Sequence, residues 1–299
     1  MMQPLQGSFV ALVTPMNADG SLDHVSLKEL VDWHVQAGTN GIVSVGTTGE
    51  SATVNVSEHL EIIERTIQFS GGRIPVIAGT GANSTQEAIE LTQVAENLGA
   101  DFALIVTPYY NRPNQEGLLK HYLKIADTID IPQILYNVPS RTACDLLPET
   151  VNQLVEHPNI VGIKEAVTDL DRLDQLIHIA NEGPHKENFY VLSGDDPTFN
   201  SFMNRGGDGV ISVAANIIPK EISQICSLNL EQCFEDAGEL NKIFERFYEL
   251  LFIESNPIPV KWMLQKMTKI QPGIRLPLVP LNECLHEMVT AEMLKLKLI

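Results

Sequence analysis

The 299-residue chain reads as an α/β protein, a (β/α)8 TIM barrel with a C-terminal helical appendage. Three observations predict this. Short β-rich runs recur at regular spacing, and most are near-continuously apolar, as parallel strands covered on both faces should be. Stretches of helical periodicity separate them. Hydroxyl-bearing residues, glycines and one lysine follow the runs, where the mouth of such a barrel would lie.

Strands are expected near 9–13, 41–45, 75–79, 102–106, 133–136, 161–164, 190–193 and 209–212. Start signals mark the intervening helices: Ser26, Ser57, and the capping-box pattern Ser84-Thr-Gln-Glu87. Gly38 and Gly99 follow two of these helices, where a left-handed cap is wanted. Residues 1–218 suffice for the barrel. From 219 to 299 the pattern is helical only. Three helices are expected, near 219–253 (broken near Ser227-Leu-Asn229), 257–268 and 281–297, packed on the barrel with no flexible linker.

The composition narrows the function. With 20 Lys+Arg against 38 Asp+Glu and a pI near 4.7, nucleic acid and anionic membrane are poor partners. No apolar run approaches the ~18 residues of a membrane span, and Met-Met-Gln-Pro-Leu-Gln-Gly-Ser has neither a basic nor an apolar region of a signal peptide. Cys144, Cys226, Cys233 and Cys284 show no metal-ligand spacing and read as reduced thiols, so a cytoplasmic location is expected. The eight histidines show no paired-ligand spacing, are assigned to surfaces and interfaces, and suggest no metal site.

Lys164 ends the apolar run Asn-Ile-Val-Gly-Ile-Lys-Glu. Burying an ammonium is costly unless it is paired or discharged, and a neutral amine attacks carbonyls. Pairing with adjacent Glu165 is geometrically poor, because neighbouring strand residues face opposite ways. Tyr136 ends the preceding strand and should meet Lys164 at the mouth, where a phenol can shuttle protons. Gly162 is expected to leave room beneath the lysine. Gly46-Thr47-Thr48-Gly49 suits a small carboxylate, since its backbone can approach closely and its hydroxyls and N–H groups donate. It is neither a Walker loop nor a dinucleotide fingerprint. Arg141 can clamp a second carboxylate or serve as a surface ion pair.

Gly46-Thr-Thr-Gly-Glu50, Tyr136-Asn-Val-Pro139 and Gly162-Ile-Lys164-Glu resemble the pyruvate-dependent class I aldolase superfamily. Thr47-Thr48, Tyr109-Tyr110 and Arg141 resemble its dihydrodipicolinate synthase family. The resemblance runs over essentially the whole chain, through Thr107-Pro-Tyr-Tyr-Asn-Arg-Pro113, Leu192-Ser-Gly-Asp-Asp196 and Asn256-Pro-Ile-Pro-Val-Lys261. It implies that Lys164 forms a Schiff base with pyruvate, with no other cofactor. The derived enamine would then condense with L-aspartate 4-semialdehyde, at the entry to diaminopimelate and lysine synthesis. Tyr136 would carry protons, relayed by Thr47 and by Tyr110 from a neighbouring subunit. Thr48 would hold the pyruvate carboxylate, and Ile211 would offer a carbonyl near the imine. Arg141, Gly194 and Asp195 would receive the semialdehyde.

The resemblance also implies a homotetramer of two tight dimers and an L-lysine effector site at Ser51, Ala52, His59, Asn83, Glu87 and Tyr109. Val56 departs from the histidine that inhibited bacterial members often carry, and an apolar residue cannot supply that polar contact. Two other readings stay open on the residues: a related aldolase such as N-acetylneuraminate lyase, whose position matching Arg141 is typically apolar, and a non-catalytic barrel that binds a small acid.

Overall fold

A computed structural model describes residues 4–184 and 189–299. Residues 1–3, the opening of the segment read above for a signal peptide, lie outside the described residues.

Eight parallel strands close into a barrel in sequence order: β1 (Gly7–Ala11), β2 (Gly41–Ser44), β3 (Val76–Gly79), β4 (Phe102–Val106), β5 (Gln133–Asn137), β6 (Ile160–Glu165), β7 (Tyr190–Ser193) and β8 (Gly209–Ser212). All eight expected strands form. β1 begins two residues early, where Gly7 and Ser8 pair with Gly209 and Val210 of β8, and ends two residues early, where the Asn216 side chain takes over its ladder. The amide donates to the Ala11 carbonyl (2.8 Å) and accepts from Val13 N–H (3.1 Å).

The barrel helices are α1 (His24–Ala37), α2 (Val56–Ser70), α3 (Thr85–Leu98), α4 (Gln115–Ala126), α5 (Pro139–Thr142), α6 (Pro148–Leu154), α7 (Leu170–Glu182) and α8 (Phe199–Asn204). Two expected caps shift. Asp23, not Ser26, caps α1, accepting from Val25 and Ser26 N–H while the Ser26 hydroxyl bonds its free oxygen. Asn55, not Ser57, caps α2, in a reciprocal box with Glu58. In both cases a residue that caps at least as well stands two or three positions upstream of the serine. Ser84 caps α3 through Glu87 N–H. Gly38 and Gly99 close α1 and α3 at φ 84° and 90°, as expected.

After β8 come five helices rather than three: α9 (Pro219–Leu230), α10 (Phe234–Lys242), α11 (Glu245–Leu251), α12 (Ile258–Lys266) and α13 (Glu283–Lys295). The expected break at Ser227-Leu-Asn229 lies inside α9. Asn229 Nδ2 bonds the Ile225 carbonyl and Asn200 Oδ1, both at 2.9 Å, so its amide is satisfied without ending the helix. The chain turns instead at Gln232, whose φ is 63°. Because α9 packs on β1 and α1, the expected division at 218/219 separates β8 from the helix that completes its unit. One hydrophobic cluster joins Val10 and Val213 of the barrel to Phe247, Met263 and Met293.

A buried ion pair also joins the two parts. Glu50, in the loop after β2, accepts from Lys261 Nζ of α12 and from Arg275 N–H at 3.3 Å. Burial lowers the Lys261 pKa, and the Glu50 carboxylate opposes this. Lys261→Met would strand a buried carboxylate and should cost about 3–5 kcal/mol in urea unfolding, whereas Lys261→Met with Glu50→Leu should recover much of the loss. Equal losses in the single and double variants would contradict the pairing.

Candidate active site

Consecutive strand residues alternate between the barrel interior and the helix layer. The β5–β6 register shifts after Gln133↔Ile160, leaving Val161 as an extra residue, so that Tyr136 lies opposite Lys164. The lysine is 6% exposed, and its Nζ lies 4.3 Å from the centre of the Tyr136 ring. Among the described residues it pairs with no carboxylate. Glu165 faces the other way, accepting from Arg172 Nε (2.8 Å), Asn137 Nδ2 (3.0 Å) and Val167 N–H (2.9 Å). Burial raises the Glu165 pKa, against the pull of Arg172. Asp145 completes this cluster by bridging Arg172 and Asn137.

Tyr136 and Lys164 open into a cavity of about 180 Å3, which Thr47, Thr48, Arg141, Gly194 and Asp195 also line. Among the described residues, the main-chain N–H groups of Thr47 and Thr48 donate to no carbonyl. The turn they occupy is closed by Glu50 N–H to Thr47 O (3.1 Å) and Ser51 N–H to Gly46 O (3.3 Å). This is a concave set of donors suited to a small carboxylate. A Cβ on Gly194 would lie 3.0 Å from Lys164 Cε, so glycine lets the β7 loop close against the amine's stem. Gly162 differs from expectation: its space is filled by the neighbouring strand, with Tyr190 O only 2.7 Å from an added Cβ.

Arg141, on α5, makes no ion pair among the described residues; its Nη2 lies 3.5 Å from the Asn256 carbonyl. Asp195 is tied to Thr198 through the backbone (3.1 Å) and the hydroxyl (2.6 Å). Ile211 is buried on β8 opposite Phe9, and Val213 is the residue of that segment that lines the cavity. Tyr110 does not reach the cavity. It is 91% exposed, with φ at 73°, a conformation that bulky residues rarely adopt.

A second cavity of about 310 Å3 adjoins the first and shares Thr47, Val138 and Arg141 with it. Ser51, Ala52, His59, Glu87 and Tyr109 line it, as does Val56; Asn83 does not. His59 donates from Nε2 to the Gly79 carbonyl (2.7 Å), and burial lowers its pKa. Its burial, and that of His34 and His121, corrects the assignment of all histidines to surfaces and interfaces. Among the described residues, no group of three acidic, His or Cys side chains could hold a metal ion, and no helix is long and apolar enough to cross a membrane.

Sequence reading missed Ser140, Val213, Phe252 and Asn256 as cavity residues. Asn256 stood within a motif noted for its resemblance, but nothing local indicates that the helical appendage reaches the barrel mouth. Nothing local marks Asp196 as structural either. Its buried carboxylate accepts from the Ser212 hydroxyl (2.5 Å) and from Val213 and Ala214 N–H (3.0 Å each), fixing the end of β8. Burial pushes its pKa up to about 6, against these hydrogen bonds. A carboxyl raised in the fold binds protons more tightly folded than unfolded, so its contribution falls as pH rises from about 4 to about 6. The stability difference between wild type and Asp196→Asn should therefore shrink over that range by about 2–3 kcal/mol and level off above it. A flat difference in urea titrations would contradict this.

A lysine set beside a tyrosine at the mouth of a (β/α)8 barrel, facing hydroxyl and N–H donors, marks the lysine-bearing aldolase class. The profile of the Dihydrodipicolinate synthetase family matches residues 4–295, and the chain belongs to that family. It is 53% identical over 289 residues to the 4-hydroxy-tetrahydrodipicolinate synthase of Teredinibacter turnerae, covering 97% of this chain and 98% of that one. The enzyme of the same name from Pseudomonas savastanoi pv. phaseolicola is 55% identical over 283 residues, 95% of each. The chloride-inhibited dihydrodipicolinate synthase of Acinetobacter baumannii, solved with pyruvate, superposes with a TM-score of 0.96 at 50% identity, over 99% of this chain and 100% of that one.

Proposed function

We propose that this lyase condenses pyruvate with L-aspartate 4-semialdehyde to 4-hydroxy-tetrahydrodipicolinate, the first committed step toward diaminopimelate and L-lysine, and that Lys164 carries the chemistry. The observation that supports these roles most directly is the buried Lys164 amine against Tyr136, without a carboxylate partner among the described residues, in one cavity with Thr47 and Thr48. The neutral amine adds to the pyruvate ketone, and water leaves as the imine forms. The protonated imine withdraws electrons, a methyl proton departs, and the enamine carbon attacks the semialdehyde's aldehyde, whose oxygen takes up a proton. The substrate's own amine then displaces Lys164 from the imine carbon and closes the ring. The lysine imine is the electron sink, so the cycle needs no other cofactor.

Tyr136 moves protons at the imine carbon and the leaving oxygen, with Thr47 as its relay. Thr48 binds the pyruvate carboxylate, and the Ile211 carbonyl faces the imine from β8. Arg141 binds the semialdehyde carboxylate, with Gly194 and Asp195 near its amino end. Among the described residues Arg141 has no carboxylate partner and only a 3.5 Å contact with the Asn256 carbonyl, which leaves its fork open for that contact. Tyr110 acts in a neighbouring active site within a homotetramer of paired dimers; its exposure and strained backbone support a role outside its own subunit. The second cavity takes L-lysine through Ser51, Ala52, His59, Glu87 and Tyr109; Asn83 lies outside its lining, and the apolar Val56 weakens the site. Unpaired cysteines suit a reducing cytoplasm.

Turnover of pyruvate with aspartate semialdehyde, and none with N-acetylneuraminate, tests the substrate assignment; robust cleavage of the sugar acid would move the chain to the lyase activity. Arg141→Ala should lower kcat/KM for the semialdehyde by about 2–3 kcal/mol while pyruvate binding persists. Equal loss toward both substrates would remove its selective role.

Tyr110→Phe and Lys164→Ala should each be inactive. Mixed with subunit exchange at equal amounts, about half the dimers are mixed, each with one intact site of two, so about a quarter of wild-type activity should return. No recovery despite exchange, or an active Tyr110→Phe, would exclude the role in trans.

A further inference from the structure

The appendage contributes a side chain to the candidate active site. Asn256, between α11 and α12, lines the cavity that holds Lys164, and its Nδ2 donates to Thr48 Oγ1 at 2.9 Å. Thr48 is 2% exposed and Asn256 6% exposed, so water does not readily replace either partner. A threonine hydroxyl has one proton and two acceptor positions. The Asn256 amide occupies one acceptor position and leaves the proton uncommitted. Among the described residues the Thr48 hydroxyl donates to nothing, and neither does its main-chain N–H.

We infer that Asn256 is a positioning residue, which turns the Thr48 hydroxyl proton into the cavity so that Thr48 offers two donors to the carboxylate of the keto acid. Three further features support this. Asn256 Oδ1 is enclosed without a donor, a cost that an amide kept for packing alone would not be expected to carry. The reverse amide orientation would take up the Thr48 proton and remove it from the substrate. The same short segment is also pinned to the same loop by the buried Lys261–Glu50 pair, so the contact is built before substrate arrives.

The inference rests on Thr48 as the pyruvate carboxylate donor, and the test separates the two. Pyruvate affinity by calorimetry, with steady-state KM and kcat, is measured for Thr48→Val, Asn256→Ala, Asn256→Asp and Thr48→Val/Asn256→Ala. Asn256→Ala should weaken pyruvate about 3- to 10-fold, mainly in KM. Asn256→Asp keeps the shape but only accepts and adds a negative charge, so it should weaken pyruvate further than alanine does. The double variant should be no weaker than Thr48→Val, because Asn256 acts through that hydroxyl.

Independent, additive losses would overturn the inference, as would an Asn256→Asp protein that binds pyruvate like wild type. Undiminished binding by Thr48→Val would overturn the Thr48 role and this inference with it. A weakened Thr48→Val beside a wild-type Asn256→Ala would overturn this inference alone. If the alanine variant fails to fold, the isosteric aspartate variant decides.

Discussion

The site depends on one extra residue in a strand. Had the pairing begun by Gln133↔Ile160 run on without interruption, Tyr136 would face Ile163 and Asn137 would face Lys164. With Val161 bulged, Tyr136 faces Lys164 and Asn137 faces Glu165. Side chains alternate along a strand, so this register gathers the phenol and the amine inside the barrel. It also gathers the amide and the carboxylate on the helix side. Among the described residues the inner pair has no counter-charge, and the outer pair is satisfied by Arg172 and Asp145.

That division answers how a barrel tolerates Lys-Glu at the end of a buried strand. Glu165 is 1% exposed, and burial favours its protonated form, but a guanidinium, an amide and a backbone N–H converge on it. Removing one partner of such a cluster costs more than the cluster contributes as a whole, so the outer network holds β5, β6 and α7 in a single arrangement. The other side of the mouth is held by the appendage. The buried Lys261–Glu50 pair and the Asn256–Thr48 contact both fall on the loop after β2, the loop with the free N–H groups. The Lys164 amine and the loop of Thr47 and Thr48 are thus fixed by separate polar clusters on opposite sides of one cavity.

Much of this was legible in the chain. Apolar runs of parallel-strand character located all eight strands, and the glycines after α1 and α3 marked their ends. The Lys164–Tyr136 meeting was expected because both residues end neighbouring strands; the shift that sets them directly opposite was not. What stayed hidden has physical causes. Ser26 and Ser57 resemble caps, yet Asp23 and Asn55 stand in better register with the first turn. Asn229 looks like a helix breaker, but here its amide bonds back to Ile225. Asn256 and Asp196 act through partners far along the chain or across the barrel, and no local periodicity reports such pairings. The bulge at Val161 is equally silent, because an apolar strand reads the same with or without it.

The central claim is that the Lys164 amine is the group that meets the keto acid. Borohydride reduction in the presence of pyruvate, followed by peptide mass mapping, tests it most directly. The account predicts one pyruvate-derived group on the peptide containing Lys164 and none in Lys164→Arg, whose guanidinium stays protonated. Label on Lys261, the other lysine buried among the described residues, or undiminished label in Lys164→Arg, would contradict it.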